Sequence, residues 1–229
     1  FHVSILKKLH EQLNSKINID KCLDLFVLKD LIVEEEVDQF SFKSSIARDV
    51  IYEAILKANR KMLHSEIGNL IEANYNDSLD LFYYDLAEHF NRAEELEKAV
   101  SYLEKSGEKA RGLYDNKQAA EFYRQLCQIF QNTDYSENII DLEKNKWKVN
   151  SPDDRTKLEN FVCFQLALCD MCVILGQWDE GKQVISSILD AAKQHSDSLS
   201  YASCLSRLGE ICRLKSDFTD SRKWLSKAQ

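Results

Sequence analysis

The stretch LCDMCVILGQWDEGKQVISSI at residues 168–188 repeats its pattern forty residues later as LGEICRLKSDFTDSRKWLSKA at residues 208–228. Leu168, Cys169, Cys172, Trp178, Gly181, Ile185 and Ile188 fall in register with Leu208, Gly209, Cys212, Phe218, Ser221, Leu225 and Ala228. The same column fits residues 86–106, 82 positions before the first copy, through Leu86, Ala87, Phe90, Leu96, Ala99, Leu103 and Ser106. Small and bulky apolar positions recurring across a helix, a short break and a second helix describe a pair that cannot bury its own apolar side. Such a pair must stack on a neighbour. The pattern predicts a helical repeat, and repeats of this kind bind and position other molecules more often than they do chemistry.

Composition points the same way. One Pro and six Gly in 229 residues leave few turn positions, and long stretches rich in Leu, Ala, Glu and Lys read as helix, so the class is mostly α. Thirty basic against thirty-eight acidic side chains give a net charge of −8. That balance opposes a phosphate backbone unless basic residues cluster, and here they do not. The longest apolar stretch, Phe161 to Leu175, is interrupted by Gln165 and Asp170. It falls short of the ~20 residues that span a bilayer, so no membrane segment is expected. Seven cysteines include a formal C-x-x-C at Cys169 and Cys172. The pair lies mid-helix with no second pair and no His at ligand spacing, and reads as small buried thiols without a metal or other cofactor. Reduced thiols suit a cytoplasmic location. The chain starts on Phe and stops inside a helical pattern, which reads as an excerpt of a longer polypeptide.

Four segments emerge along the chain. Residues 1–58 read as the end of a winged-helix-like unit: one amphipathic helix through Val3, Ile5, Leu6 and Leu9, a second through Ile19, Leu23, Phe26 and Val27, then a short hairpin over residues 31–42 with its turn near Asp38. Residues 59–131 read as a linking helix and the first repeats, within a helical pattern that resumes at Ile46 and fades at Asn74. Asp77 or Ser78 is placed to cap a helix from Leu79 to Asn91, and residues 95–114 to serve as second helix of one pair and first of the next, with a kink at Gly107. Residues 132–151 are polar and poorly periodic, an insertion or long loop. Residues 152–229 carry further repeats, opened by a Ser151 cap, Pro152 at the first helical position and two acids that complement the helix dipole.

Motifs for chemistry are absent. Neither G-x-x-x-x-G-K-[ST] nor G-x-G-x-x-G is present, nor G-x-S-x-G or H-E-x-x-H, so no catalytic residue is assigned. His64 and His89 read as locally hydrogen-bonded side chains, not bases. A winged helix raises the question of DNA, but residues 1–60 carry nine basic and ten acidic side chains, which favours a packing role without direct nucleic-acid binding.

One set of spaced elements is more specific: Phe40-Ser-Phe42-Lys-Ser-Ser-Ile46-Ala-Arg48-Asp49-Val50-Ile51-Tyr52-Glu53-Ala-Ile-Leu56, Arg60-Lys-Met-Leu63-His64, Leu86-Ala87-Glu88-His89-Phe90, then Lys98-Ala99 and Tyr102-Leu103. Over residues 20 to 130 the chain resembles a segment of large signal-transduction ATPases, in which class III adenylate or guanylate cyclase domains precede an AAA-like ATPase and a winged-helix unit leads into tetratricopeptide-type repeats. Ser44 stands where that family has a His, and the forty-residue spacing exceeds the tetratricopeptide period of ~34. The resemblance implies a regulatory or scaffolding segment that binds a protein partner or its own catalytic domains, with catalysis outside it. An alternative is the sensor array of an ATPase-type transcription regulator whose DNA-binding domain lies elsewhere. In tetratricopeptide geometry the first helix of each pair lines a groove. That places Tyr84, Asp85, Glu88, Asn91 and Arg92, and from the last pair Arg207, Glu210 and Arg213, as candidate partner contacts.

Overall fold

The structure, a computed structural model, describes residues 1–13, 16–132, 140–141, 146–147, 151–195 and 198–228. The chain forms two compact units, Phe1–Ala99 and Val100–Gln229. It is mostly α with a small hairpin, as the composition implies.

In the first unit, α1 (Val3–Gln12) and α2 (Ile19–Leu28) precede the antiparallel strands β1 (Ile32–Glu36) and β2 (Gln39–Phe42), followed by α3 (Ser45–Ala54), α4 (Lys57–Asn74), a 3-10 turn (Asn76–Phe82) and α5 (Tyr83–Ala93). The hairpin turns at Val37-Asp38, where Asp38 takes φ 63°, and pairs Ile32 with Phe42 and Glu34 with Phe40. Val3, Leu23 and Ile32 form its buried core, closed by Leu6, Ile19, Leu31, Phe40 and Phe42. Each fully buried aliphatic side chain there contributes ~1.5–3 kcal/mol, enough for a satellite core but small beside the entropy of ordering sixty residues. Helix α1 also packs on α4. Ser44, in the place of the expected His, accepts a 3.3 Å bond from Ala47 N and caps α3.

Two departures from the periodicity occur here. The helix expected from Ile46 to Asn74 is broken, because Ile55 (ψ 131°) and Leu56 (ψ 139°) are extended. An unbroken helix would hold Tyr52 and His64 about 18 Å apart along its axis, whereas the break folds them to 2.9 Å. The helix expected from Leu79 starts instead at Tyr83, after a 3-10 turn whose last residue, Phe82, meets the Tyr75 ring at a tilt, 4.5 Å between ring centres.

The hairpins that follow share one turn. Helix α6 spans Leu96–Gly112, α7 Asn116–Asn132, α8 Pro152–Ile174, α9 Trp178–His195, α10 Ser198–Leu214 and α11 Phe218–Ala228. Glu94, Tyr114, Gly176 and Ser216 each take left-handed backbone, φ 61°, 61°, 73° and 62°. The next residue's N–H returns to the last helical turn: Glu95 to Phe90 at 3.0 Å, Asp115 to Ala110 at 2.9 Å, Gln177 to Cys172 at 2.8 Å and Asp217 to Cys212 at 2.8 Å. This closure satisfies carbonyls that a helix end leaves open. Asp115 and Asp217 then cap α7 and α11 through Gln118 N and Asp220 N, both at 3.1 Å. Residues 95–114 thus leave one such turn and enter another, as the spacing requires.

Within the second unit α7 packs on α8, α8 on α9, α9 on α10 and α10 on α11. The column is the seam of this stack. Leu168, Cys169, Cys172, Ile185, Ile188, Leu208 and Cys212 are all buried. A Cβ on Gly181 would sit 3.3 Å from Cys172 Cβ, and one on Gly209 only 2.6 Å from Leu225 Cγ. Small residues occupy the column because the helices touch there. Gly107 causes no kink; α6 runs through it, and the position gives room to the Tyr123 ring, 3.1 Å from where a Cβ would be. At the last pair the column opens: Phe218 is 67% exposed, and among the described residues no helix follows α11 to cover it. Ser151 caps α8 as expected, accepting from Asp154 N at 3.1 Å. Most of the expected polar loop 132–151 lies outside the described residues, apart from a two-residue ladder pairing Ile140 with Trp147.

The shared turn has a direct test. Tyr114 is 87% exposed, so Tyr114→Gly removes left-handed strain at little packing cost and should stabilise the chain by about 0.5–1 kcal/mol. Gly176→Ala imposes that strain and should cost about 1 kcal/mol. Urea midpoints measure both.

Candidate functional site

Helix α5 carries most of the expected contacts, and its faces divide them. Leu86, Ala87 and Phe90 are buried, the last beneath Gly68, where a Cβ would meet the ring at 2.8 Å. On the outer face Arg92 and Glu88 pair at 2.6 Å, one helical turn apart. Tyr84 is 37% exposed beside them, and Asn91 is half-buried. Asp85 turns away from that group and lines a cavity.

The cavity, of about 620 Å³, lies within the first unit between α1, β2, α3, α4 and α5. Its walls are aliphatic and aromatic, with Leu6, Ile51, Ile55, Ile67 and Phe82 prominent, and His89 and Asp85 are among its polar groups. Desolvation raises the Asp85 carboxyl above its ordinary range, and the Glu88 charge adds to the rise. His89 belongs to a relay: its Nδ1 lies 2.9 Å from His64 Nδ1, and His64 Nε2 lies 2.9 Å from the Tyr52 hydroxyl. Both histidines therefore satisfy local hydrogen bonds. One imidazole must donate while the other accepts, so the pair cannot hold a proton on both facing nitrogens. Arg60 and Arg92 flank the Tyr52 ring at 4.8 and 5.3 Å from its centre. Burial, then His64 and Arg92, lowers the His89 pKa from 6.5 to about 4; burial and Arg92 lower His64 as well. Tyr52 and Arg60 belong to the stretch that carries the family resemblance, but nothing in their spacing marks them as partners of His64, because the break at Ile55 was not legible.

On α10, Glu210 and Arg213 face solvent 3.8 Å apart. Arg207 differs. Its guanidinium donates to both Asp170 oxygens at 2.7 Å, fastening α10 to α8. An expected partner contact is thus engaged inside the stack, and the signal was the acidic interruption of the apolar run at Asp170. The cysteines of the C-x-x-C pair are packed in the seam, and burial pushes Cys169 up to about 12 and Cys172 to about 11, so both stay as neutral thiols. Among the described residues no three His, Cys, Asp or Glu side chains gather as a metal-holding group, and no helix is long and apolar enough to cross a membrane.

No family model matches the sequence, and no curated protein matches it. Solved structures do. A point variant of nearly identical TPR-like repeats of kinesin-light-chain type from Podosopora anserina is similar over 79% of this chain and 92% of that one, at 13% identity and a TM-score of 0.39. BtubC (BKLC) from P. vanneervenii is similar over 80% and 76%, at 16% identity and a TM-score of 0.31. By its own turns and seam, the chain has a tetratricopeptide-like helical-repeat fold with a small hairpin.

Two expectations follow. A lowered His89 pKa means stability is full above pH 6.5 and is lost as pH falls toward about 4, where protonation puts charge on a buried imidazole beside His64 and Arg92. The urea midpoint should fall through that window, and less steeply in His89→Gln. Arg207→Met should cost roughly 1–2 kcal/mol, since the pair is bidentate but only partly buried, and a double-mutant cycle with Asp170→Asn should return most of that as coupling.

Proposed function

We propose that this chain is a non-catalytic helical-repeat segment that binds a protein partner and, in a larger cytoplasmic polypeptide, regulates a signalling ATPase or nucleotide cyclase. The partner is another protein or the polypeptide's own catalytic domains. The single supporting observation is the run of identical hairpin turns over a seam of small residues, an architecture that spends its side chains on stacking and leaves outer helix faces for binding. Residues 1–58 serve in this reading as the end of a winged-helix-like packing module, with 59–131 and 152–229 as repeats around the 132–151 insertion. The contacts assigned are Tyr84, Glu88, Asn91 and Arg92 on α5, and Glu210 and Arg213 on α10. Asp85 acts from the cavity side, and Arg207 supports the α10 surface through Asp170. Nucleic acid is not a direct partner, given the acidic balance of the chain.

With the chain as bait, Glu210→Lys combined with Arg213→Glu should reduce recovery of its bound partner about tenfold while the thermal melt stays unchanged. Unchanged recovery would remove that surface from the reading.

The cavity favours a second reading, a sensor array within an ATPase-type transcription regulator that takes up a small apolar ligand. Anilinonaphthalene sulfonate fluorescence should then saturate at one dye per chain and be lost in Ile51→Trp; dye binding that survives the plug would count against it.

A further inference from the structure

Helix α8 buries most of its apolar run from Phe161 to Cys172, with Cys163 exposed, and the two polar interruptions of that run have different fates. Asp170 is held by Arg207. Gln165 is held by nothing among the described residues: only 2% of it is exposed, and its Oε1 is buried without a partner. A buried amide oxygen left unpaired is costly, because the acceptor has given up water. His10 and Ser106 also carry an unpartnered buried atom, but Gln165 lines a cavity.

That cavity, of about 250 Å³, lies between α7, α8 and α9 in the second unit, with Gln165, Leu168 and Cys127 buried in its wall and Gln128, Gln183 and Ser187 exposed at its rim. It is several times the ~30 Å³ that one water occupies in the liquid. The cation in its lining, Arg124, is committed. It donates to both Glu180 oxygens, at 2.7 and 3.1 Å, and to Gln177 at 3.1 Å. The Ser187 hydroxyl donates to Val184 O at 2.7 Å. What remains of the lining is uncharged, with amides at the wall and rim.

We infer that this pocket recognises a primary carboxamide, the side chain of an Asn or Gln presented by a protein partner. The inference deepens the partner-binding reading and rests on it. A primary amide offers one N–H and one C=O on the same edge, so it can meet the Gln165 amide in two reciprocal hydrogen bonds. A trans backbone peptide cannot, since its N–H and C=O point opposite ways. A carboxylate meets the Gln165 acceptor with no donor, and an ammonium meets the Gln165 donor with no acceptor. Either charge would also be desolvated without a counter-ion.

The test uses the whole chain, isotope-labelled, with propionamide as probe. Saturable shifts of the Gln165 side-chain amide resonances are expected at millimolar propionamide, with propionate, propylammonium and N-methylacetamide each at least tenfold weaker. Gln165→Leu should abolish the response and raise the urea midpoint, because the unpaired amide oxygen is gone. Gln165→Met serves the same purpose if the leucine variant fails to fold. Equal response to N-methylacetamide would mean that backbone peptide is the ligand and overturn the side-chain assignment. Contacts from Gln165 to bound water with no propionamide response, or an undiminished response in both variants, would overturn the pocket. Because the probe needs no partner, failure here is distinct from a failed capture by the α10 surface.

Discussion

A helical hairpin must reverse the chain within a few residues while keeping two helices close enough to exclude water, and those two demands compete. The reversal needs a left-handed residue, which costs any side chain but glycine about 1–2 kcal/mol. Close approach needs small residues at the crossing, which forgo apolar area. Here both costs are met repeatedly. Glu94, Tyr114 and Ser216 accept the left-handed backbone that Gly176 adopts freely, and Gly181 and Gly209 let neighbouring helices into near contact. The gain is a seam in which Leu168, Ile185, Ile188, Leu208 and Ile211 lose almost all contact with water. Cysteine suits this seam as a small hydrophobe, and burial, by raising its thiol pKa, removes the reactivity that would make it a liability.

The polar groups divide by whether they close on a partner. Arg207 with Asp170, and Arg124 with Glu180, tie neighbouring helices of the second unit through charged, bidentate contacts. In the first unit Tyr52, His64 and His89 form a chain of hydrogen bonds that ends at the apolar cavity. The Gln165 Oε1 closes on nothing among the described residues, although it lines a cavity.

Much of the fold was legible because its period is written in side-chain size. The Leu-small-x-x-Cys column located the seam, and Ser151-Pro152 located the start of α8. The hairpin around Asp38 was legible from its alternation. The break between α3 and α4 was not: Ile55 and Leu56 are extended without a Gly or Pro to mark them, and both belong to a run that is apolar in helical register. Missing that break hid the cavity and the Tyr52–His64 contact. The surface residues on α5 and α10 were placed on their helices, but sequence could not separate Arg207, bound to a carboxylate thirty-seven positions away, from the solvent-facing Arg213. Asp170 and Gln165 were visible only as interruptions of an apolar stretch, and which was paired depended on a neighbouring helix.

Native-state hydrogen exchange on a Gly209→Val variant bears most directly on the stack of hairpins. The added side chain would collide with Leu225, 2.6 Å from the glycine's Cβ position, and with the Ser221 carbonyl at 3.3 Å. If each pair is stabilised through its own seam, amide protection falls in α10 and α11 while α8 keeps its slow exchange. A uniform loss of protection across the second unit, or none at all, would contradict the stacked-hairpin structure.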